Sequence, residues 1–165
     1  MRRRNGWLLC LGLAIAAMGG CREQPPDRWD AAQEASSQSP EAVSSEAVEG
    51  GEFNRFFPQV ETPWDIVFKQ EKTGFAQASL QFEAREVAVL SVSDTKSNPA
   101  AAEKFKDSQR NLEGMPVVEI GEQATAILVN DRFQVQVRSM DPVVGPQERD
   151  EWLTRFNLQA IGRIQ

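Results

Sequence analysis

The sequence predicts an α+β domain, in which two helices pack on one antiparallel sheet of five to six strands. Three observations lead to this fold class. Segments 75–82 and 133–140 alternate apolar and polar side chains, with the period of two that is typical of a half-buried strand. Segment 86–93 is rich in β-branched residues, which favour strands. Pro99 and Pro146 each begin a helical pattern, and proline is favoured at the first position of a helix.

The strands are expected to follow one another as hairpins. They are predicted at residues 64–70, 75–82, 86–93, 115–120, 124–129 and 133–140. Asn130-Asp131 has the composition of a two-residue hairpin turn between the last two strands. Because short strands joined by tight turns pair antiparallel, the six segments predict a single antiparallel sheet.

Two helices are expected, one after the third strand and one after the sixth. The first is predicted from the N-cap residue Asn98 to Leu112, with Gly114 as its C-cap. The second begins at Pro146, and the acidic residues of its first turn match the positive end of the helix dipole. A short turn that starts at Asn157 is expected to bury further apolar side chains.

The two halves of the domain align at a constant offset of 47 residues without a gap. The identical pairs are Gly74 and Gly121, Arg85 and Arg132, Asp94 and Asp141, and Pro99 and Pro146. We hypothesise a duplicated β-β-β-α unit, with Phe105 and Trp152 in equivalent positions beneath the sheet. The alternative is that two similar stretches need the same turn chemistry.

The amino-acid composition excludes a large share of enzyme chemistry. The 165 residues include no histidine, so no Ser-His-Asp triad, no Cys-His dyad and no histidine-ligated zinc site is available. No phosphate-binding loop, nucleophile elbow or metalloprotease motif is present. We therefore predict that the protein is not an enzyme and uses no cofactor and no metal. The formal net charge of −6 argues against a nucleic-acid partner.

The first twenty residues have the organisation of an export signal. Three arginines precede an apolar run from Trp7 to Met18, which is shorter than the roughly twenty residues that span a bilayer. The run ends in Ala17-Met18-Gly19-Gly20-Cys21, which resembles the lipobox of bacterial lipoproteins. The resemblance implies a signal peptide over residues 1–20 and a mature protein that begins with a lipidated Cys21. The alternative is an ordinary cleaved signal in which this cysteine is incidental.

The lipobox also implies where the protein resides. A lipidated cysteine would anchor it in a membrane of the cell envelope, facing the periplasm or an equivalent extracytoplasmic space. Arg22 stands where an aspartate would retain such a lipoprotein in the inner membrane, so the outer membrane is favoured.

An acidic segment separates this anchor from the domain. Residues 22–52 contain eight acidic residues against two arginines and almost no large apolar side chains. Such a composition does not bury enough apolar surface to offset the entropy of ordering. We therefore predict a disordered tether over residues 21–52 and a single domain over residues 53–165.

Four charged residues are candidates for a functional site. Asp94 and Asp141 each lie between a strand and a helix, where they form an acid–base pair, hold calcium or, in the interpretation we favour, close a local turn. Arg85 and Arg132 occupy equivalent hairpin positions. They form either a bidentate site for an anion or partner carboxylate, or two exposed turn arginines.

Three phenylalanines at the start of the domain have the spacing of one helical turn. Phe53, Phe56 and Phe57 either cap the open edge of the core or form, with Arg55, an exposed aromatic patch that binds a partner. The candidate partner surface therefore consists of Phe53, Arg55, Phe56, Phe57, Arg85 and Arg132.

The body of the chain is similar to an uncharacterised family of cyanobacterial lipoproteins. The similarity rests on residues 70–78 (QEKTGFAQA), 93–95 (SDT) and 131–135 (DRFQV) and covers most of residues 53–163. It brings no catalytic residues. We predict a lipid-anchored envelope domain that binds or assembles a protein or another envelope component. The alternatives are a small carrier or ligand-binding lipoprotein, which needs a sizeable apolar pocket, and an envelope hydrolase with two adjacent acids in a cleft.

Overall fold

A computed structural model describes residues 46–165. The predicted signal peptide, the lipidation site Cys21 and residues 22–45 of the predicted tether lie outside the described residues. Seven strands form one sheet: β1 (Trp64–Lys72), β2 (Phe75–Phe82), β3 (Arg85–Asp94), β4 (Arg110–Leu112), β5 (Met115–Ile120), β6 (Ala124–Val129) and β7 (Phe133–Ser139). Their order across the sheet is β1-β2-β3-β7-β6-β5-β4.

Every neighbouring pair in this sheet is antiparallel. The predicted antiparallel sheet with helices is therefore confirmed, whereas the predicted count of five to six strands is wrong. The helices are α1 (Ala100–Glu103), α2 (Pro146–Thr154) and α3 (Leu158–Ile161). Two 3-10 helices lie at Gly50–Phe56 and Thr95–Ser97. Within residues 46–165, no helix is long and apolar enough to cross a membrane.

The additional strand lies inside the segment that was expected to be the first helix. Helix α1 ends at Glu103, and β4 then pairs with β5 through a hairpin whose turn is Glu113-Gly114. Both turn residues have positive φ angles, 51° and 81°. A glycine with positive φ suits a helix C-cap and a two-residue hairpin turn equally well, which explains why the sequence pattern was misinterpreted.

The main hydrophobic core lies on one face of the sheet. Alternate residues of β2, β3, β6 and β7 point into it, and the 3-10 helix Gly50–Phe56, α2 and α3 pack over them. The rings of Phe53 and Phe133 meet edge to face with centroids 6.0 Å apart. Trp152 of α2 packs against Trp64 of β1 with ring centroids 4.9 Å apart. The core therefore holds both the N-terminal 3-10 helix, through Phe53, and the C-terminal helix α2, through Trp152, against the sheet.

A second, smaller cluster lies on the opposite face. Ala126 and Leu128 alternate with the core residues of β6, so their side chains point to the other side of the sheet. Phe105, which follows α1, packs against them, whereas Trp152 lies in the main core. The prediction that Phe105 and Trp152 occupy equivalent positions is therefore wrong.

The described fold begins before the predicted domain boundary at Phe53. Ala47 is buried, and the carbonyl of Val48 accepts a hydrogen bond from the N–H of Gly74. Residues 46–52, which the sequence analysis placed in the tether, therefore pack with the domain.

Gly50 lies where this N-terminal segment crosses the β1–β2 hairpin. A Cβ atom at this position would lie 2.4 Å from the carbonyl oxygens of both Lys72 and Phe75, which is closer than real Cβ contacts. A larger residue would push the segment off the hairpin. The close approach explains a glycine that the sequence analysis placed at the end of a flexible linker.

Six of the seven strands form two three-stranded meanders, β1-β2-β3 and β5-β6-β7, that meet at β3 and β7, and β4 pairs with β5 at the edge of the second meander. The second hairpins of the two meanders share a strand register at the offset of 47 residues: Ala78 lies opposite Leu90, and Thr125 lies opposite Val137. The turn residues 83, 84, 130 and 131 all have positive φ angles, although the second loop has one residue more, Arg132. The first hairpins differ in register, because Gln70 lies opposite Gln77, whereas Val117 lies opposite Ile127.

Candidate functional site

The two aspartates singled out in the sequence do not lie together. Asp94 ends β3 and lies opposite Phe133, at the start of β7. Asp141 follows β7, and its N–H donates to the carbonyl of Val87 near the start of β3. They therefore lie at opposite ends of the β3–β7 pair and do not form an acid–base pair. Among the described residues, no group of three or more acidic side chains is placed to hold a metal ion.

Each aspartate instead closes a local turn through its side chain. Asp94 accepts a hydrogen bond from the N–H of Lys96, and Asp141 accepts one from the N–H of Val143, each at 3.0 Å. This is the turn role favoured from the sequence.

The two arginines at the equivalent hairpin positions bind these two aspartates. Arg132 Nη2 lies 2.7 Å from Asp94 Oδ2, and Arg85 Nη1 lies 2.9 Å from Asp141 Oδ2. The ion pairs are reciprocal. Arg132 of the second meander binds Asp94, the last residue of β3 in the first meander. Arg85 of the first meander binds Asp141, which lies just after β7 in the second meander. The arginines therefore do not converge on a single anion site.

The Asp94 ion pair also holds the N-terminal end of the described chain. Its carboxylate is fully buried and accepts hydrogen bonds from Arg132 Nε and Nη2 and from the N–H groups of Lys96 and Val48. Burial alone would raise the pKa of Asp94, but these hydrogen bonds and the charge of Arg132 outweigh it and lower the pKa below its ordinary value. Arg132 also donates to the carbonyl of Glu46 at 3.2 Å.

The phenylalanines of the candidate partner surface are structural. Phe53, Phe56 and Phe57 are only 0%, 5% and 3% exposed, and all three belong to the main core. Arg55 is exposed, and its guanidinium lies 4.8 Å from the centroid of the Phe56 ring. The three rings therefore cap the core, and they do not form an exposed aromatic patch.

A polar groove lies on the face of the sheet opposite the main core. Five of its lining residues carry amide or hydroxyl side chains: Gln77, Ser91, Ser93, Gln134 and Gln136. The other four are Phe75, Val89, Arg138 and Met140. The groove has a volume of about 420 Å³, within the range of about 300–1,000 Å³ that small-molecule sites occupy. None of the nine lining residues is acidic.

The strand register explains the shape of the polar groove. Ser91 of β3 lies between Gln77 of β2 and Gln136 of β7, all on the same face. In the next row, Ser93 lies between Phe75 of β2 and Gln134 of β7. Small serines on the middle strand thus form a floor, and longer side chains on the two flanking strands form walls. The groove lies across the seam between the two meanders.

One buried polar atom of the groove lining has no partner among the described residues, namely Oε1 of Gln134. Oγ of Ser79 is also without a partner there, but this residue is only 1% exposed and does not line the groove. Ser79 lies in the row of Val89 and Arg138. A buried polar atom without a hydrogen bond costs about 1–3 kcal/mol, so native proteins rarely retain one without a reason.

A buried arginine forms a second polar cluster, on the core face of the sheet. Arg149 of α2 is 3% exposed and donates to Thr125 Oγ1 at 2.8 Å, to Ser139 Oγ at 3.1 Å and to Glu119 Oε2 at 3.0 Å. Burial alone would raise the pKa of Glu119, but hydrogen bonds from Thr125, Arg149 and Arg110 outweigh it and lower the pKa.

A cavity of about 290 Å³ adjoins the Arg149 cluster. Glu122 and Asp141 line it together with Arg149, so acidic side chains offset the positive charge of the guanidinium. The partners of Arg149 are already supplied by its own chain. The cluster is therefore best interpreted as a support for α2, and the polar groove is the stronger candidate for a binding site.

The sequence analysis missed both clusters. It named none of the glutamines and serines of the groove as site residues, and it named neither Arg149 nor its partners. One signal was present for the groove. Solvated strand faces usually carry Lys and Glu, whereas the outward positions from 75 to 79 and from 89 to 93 carry no charge at all.

The polar groove and the Arg149 cluster are identified by the positions and contacts of their own residues. No model of a known protein family, no curated protein and no solved structure matches the chain.

Proposed function

We propose that this protein is a lipid-anchored domain of the cell envelope that binds another envelope component without catalysis, and that the polar groove is its binding surface. The observation that carries the proposal is the groove itself. It is concave and lies on a seven-stranded sheet, and it presents hydrogen-bonding side chains, one of which, Gln134, has a buried carbonyl oxygen without a partner among the described residues. Concave sites with convergent polar groups are typical of ligand binding.

The chemistry of the lining supports binding and not turnover. Its side chains are amides, hydroxyls, apolar groups and one arginine, none of which acts as a general base near neutral pH. A serine becomes a nucleophile only beside such a base. A small-molecule carrier is the second candidate, because the volume of the groove also suits a small ligand. Such a ligand would be polar, since the groove is not the apolar pocket that the sequence analysis required of a carrier.

Crosslinking in cells tests the groove as a binding surface. A photoreactive amino acid placed at Gln136 or Ser91 is expected to capture a macromolecule of the envelope, visible as a band of higher mass on a denaturing gel. The same amino acid at Glu113, an exposed turn residue, serves as the control. Equal capture from all three positions, or none from the groove, would contradict the proposal.

The anchor is tested by a single substitution. Cys21→Ala is expected to leave an unprocessed precursor that incorporates no labelled fatty acid, because the thiol that would accept the lipid is gone. Incorporation of the label and the mass of the protein measure this directly. Normal maturation and membrane retention of the variant would show that Cys21 is incidental and that the lipoprotein interpretation fails.

We also infer that the two meanders derive from a duplicated β-β-β unit. Three observations support the inference: the shared register of the second hairpins, the positive φ angles of both turns and the reciprocal arginine–aspartate pairs. The helices are not part of the repeat, because Phe105 and Trp152 pack on opposite faces of the sheet. The polar groove lies where the two units join, a common place for binding sites.

A further inference from the structure

We propose that the polar groove binds a glycan chain, that is, an uncharged or weakly acidic carbohydrate rich in hydroxyl or acetamido groups. This inference rests on the proposed function and assigns the chemical class of its ligand.

The lining matches the hydrogen-bonding needs of a carbohydrate. Each sugar hydroxyl both donates and accepts, and the side chains of Ser91, Gln77 and Gln136 do the same, since amides and hydroxyls carry donors and acceptors together. These three residues lie side by side across three adjacent strands. A sugar ring above Ser91 would therefore meet amide groups on both sides.

An unpartnered atom of the lining points to the same ligand chemistry. Gln134 Oε1 is a buried polar atom without a partner among the described residues. A purely apolar ligand would leave this atom unpaired and would lose binding free energy for that reason. A ligand with hydroxyl or amide groups would donate a hydrogen bond to it.

The charge of the lining narrows the class further. The groove contains no acidic side chain and one cation, Arg138, at one end. It therefore has no carboxylate that would form an ion pair with a positively charged ligand. A neutral sugar chain fits its centre, and a single carboxylate on such a chain would fit beside the guanidinium.

A protein partner fits the groove less well. The centres of protein interfaces are enriched in aromatic residues, Met and Arg, and serine is depleted there. In the groove this order is reversed, because Ser91 and Ser93 form the floor, whereas Phe75 of β2 and Met140, just after β7, flank them. The arrangement favours a ligand held by many hydrogen bonds over one held by a large apolar anchor.

The test is direct binding of defined oligosaccharides to the full chain purified in detergent. The probes are soluble tetrasaccharides of N-acetylglucosamine and of glucose, together with protein-free peptidoglycan as an insoluble probe, with calorimetry and co-sedimentation as the measurements. At least one probe is expected to bind. Gln136→Ala is expected to weaken that binding about tenfold, as the loss of one hydrogen bond predicts, and Ser91→Leu to abolish it by filling the floor.

Gln81→Ala is the matched control, because Gln81 lies on β2 outside the groove and should bind as the unchanged protein does. Thermal melting shows that each variant is folded, and a Gln134→Ala variant replaces either one that is not. Binding that none of the groove variants weakens, or no binding to any of the probes, would overturn the glycan assignment. If the groove positions capture a protein in cells while no glycan binds, the glycan assignment fails and the proposed binding function stands.

Discussion

Replacing Arg149 with methionine is expected to lower the free energy of unfolding by about 3 kcal/mol. The guanidinium is 3% exposed and holds Thr125, Ser139 and Glu119 together between α2 and the sheet. Removing one partner of a buried ion pair costs about 3–5 kcal/mol. The lower end applies because Glu119 is 39% exposed and keeps its second partner, Arg110. Urea denaturation followed by tryptophan fluorescence measures the change.

The control for this prediction is Arg110→Met, which removes the exposed partner of the same carboxylate. Because Arg110 is 47% exposed, we expect a loss of only about 0–1 kcal/mol. A combined variant with Arg149→Met, Thr125→Val and Glu119→Gln removes the guanidinium, the Thr125 hydroxyl and the Glu119 charge together, and it should recover part of the lost stability. An Arg149→Met protein as stable as the unchanged chain would mean that the cluster contributes little to the attachment of α2.

Most of the sheet could be predicted from the sequence because strand burial leaves a strong periodic signal. β2, β5 and β6 have the predicted bounds, and the Asn130-Asp131 turn lies where its composition placed it. These segments are fixed by short-range chemistry, namely alternation and turn propensity. The pattern did not specify that β3 pairs with β7, because this pairing depends on contacts between residues that are far apart in the chain.

The errors have a common physical cause, which is that tertiary contacts override local propensity. β4 has only three residues and depends on β5 for its hydrogen bonds, so no period identifies it. Ala47 and Gly50 belong to no periodic hydrophobic pattern, yet they are buried because they pack against the β1–β2 hairpin. Phe105 has helical spacing with Ala101, but it packs on the face opposite the main core.

The candidate site was the least predictable part because its residues are ordinary in sequence. Gln77, Ser91 and Gln136 come from three strands, and only the register places them in one row. The residues that stood out in the sequence, Asp94 and Arg132, are instead a structural pair. A motif search favours charged residues, whereas a groove for a neutral ligand is built from uncharged ones.

Asp94→Asn is expected to lower the free energy of unfolding by about 3–5 kcal/mol at neutral pH, the cost of leaving a nearly buried Arg132 without its counterion. The effect depends on pH. The folded-state pKa of Asp94 lies below its unfolded value, so the stability it contributes is fully present above the unfolded pKa of about 3.9 and is lost as the pH falls through the folded value. Denaturation of both proteins between pH 7 and pH 2.5 measures the difference.

The difference between the two proteins should therefore stay constant from pH 7 to about pH 5 and shrink below about pH 4. Asp141→Asn is the matched control at the equivalent position of the other meander. Its partner Arg85 is 64% exposed, so we expect a loss of only about 0–1 kcal/mol there. If the two variants lose equal stability, the burial of Asp94 does not strengthen its ion pair. If the Asp94→Asn difference persists unchanged at pH 2.5, the loss arises from packing or from neutral hydrogen bonds and not from the carboxylate charge. The reciprocal pairs thus provide one arginine–aspartate contact in two environments within a single chain, which differ in burial and in the number of hydrogen bonds to the carboxylate.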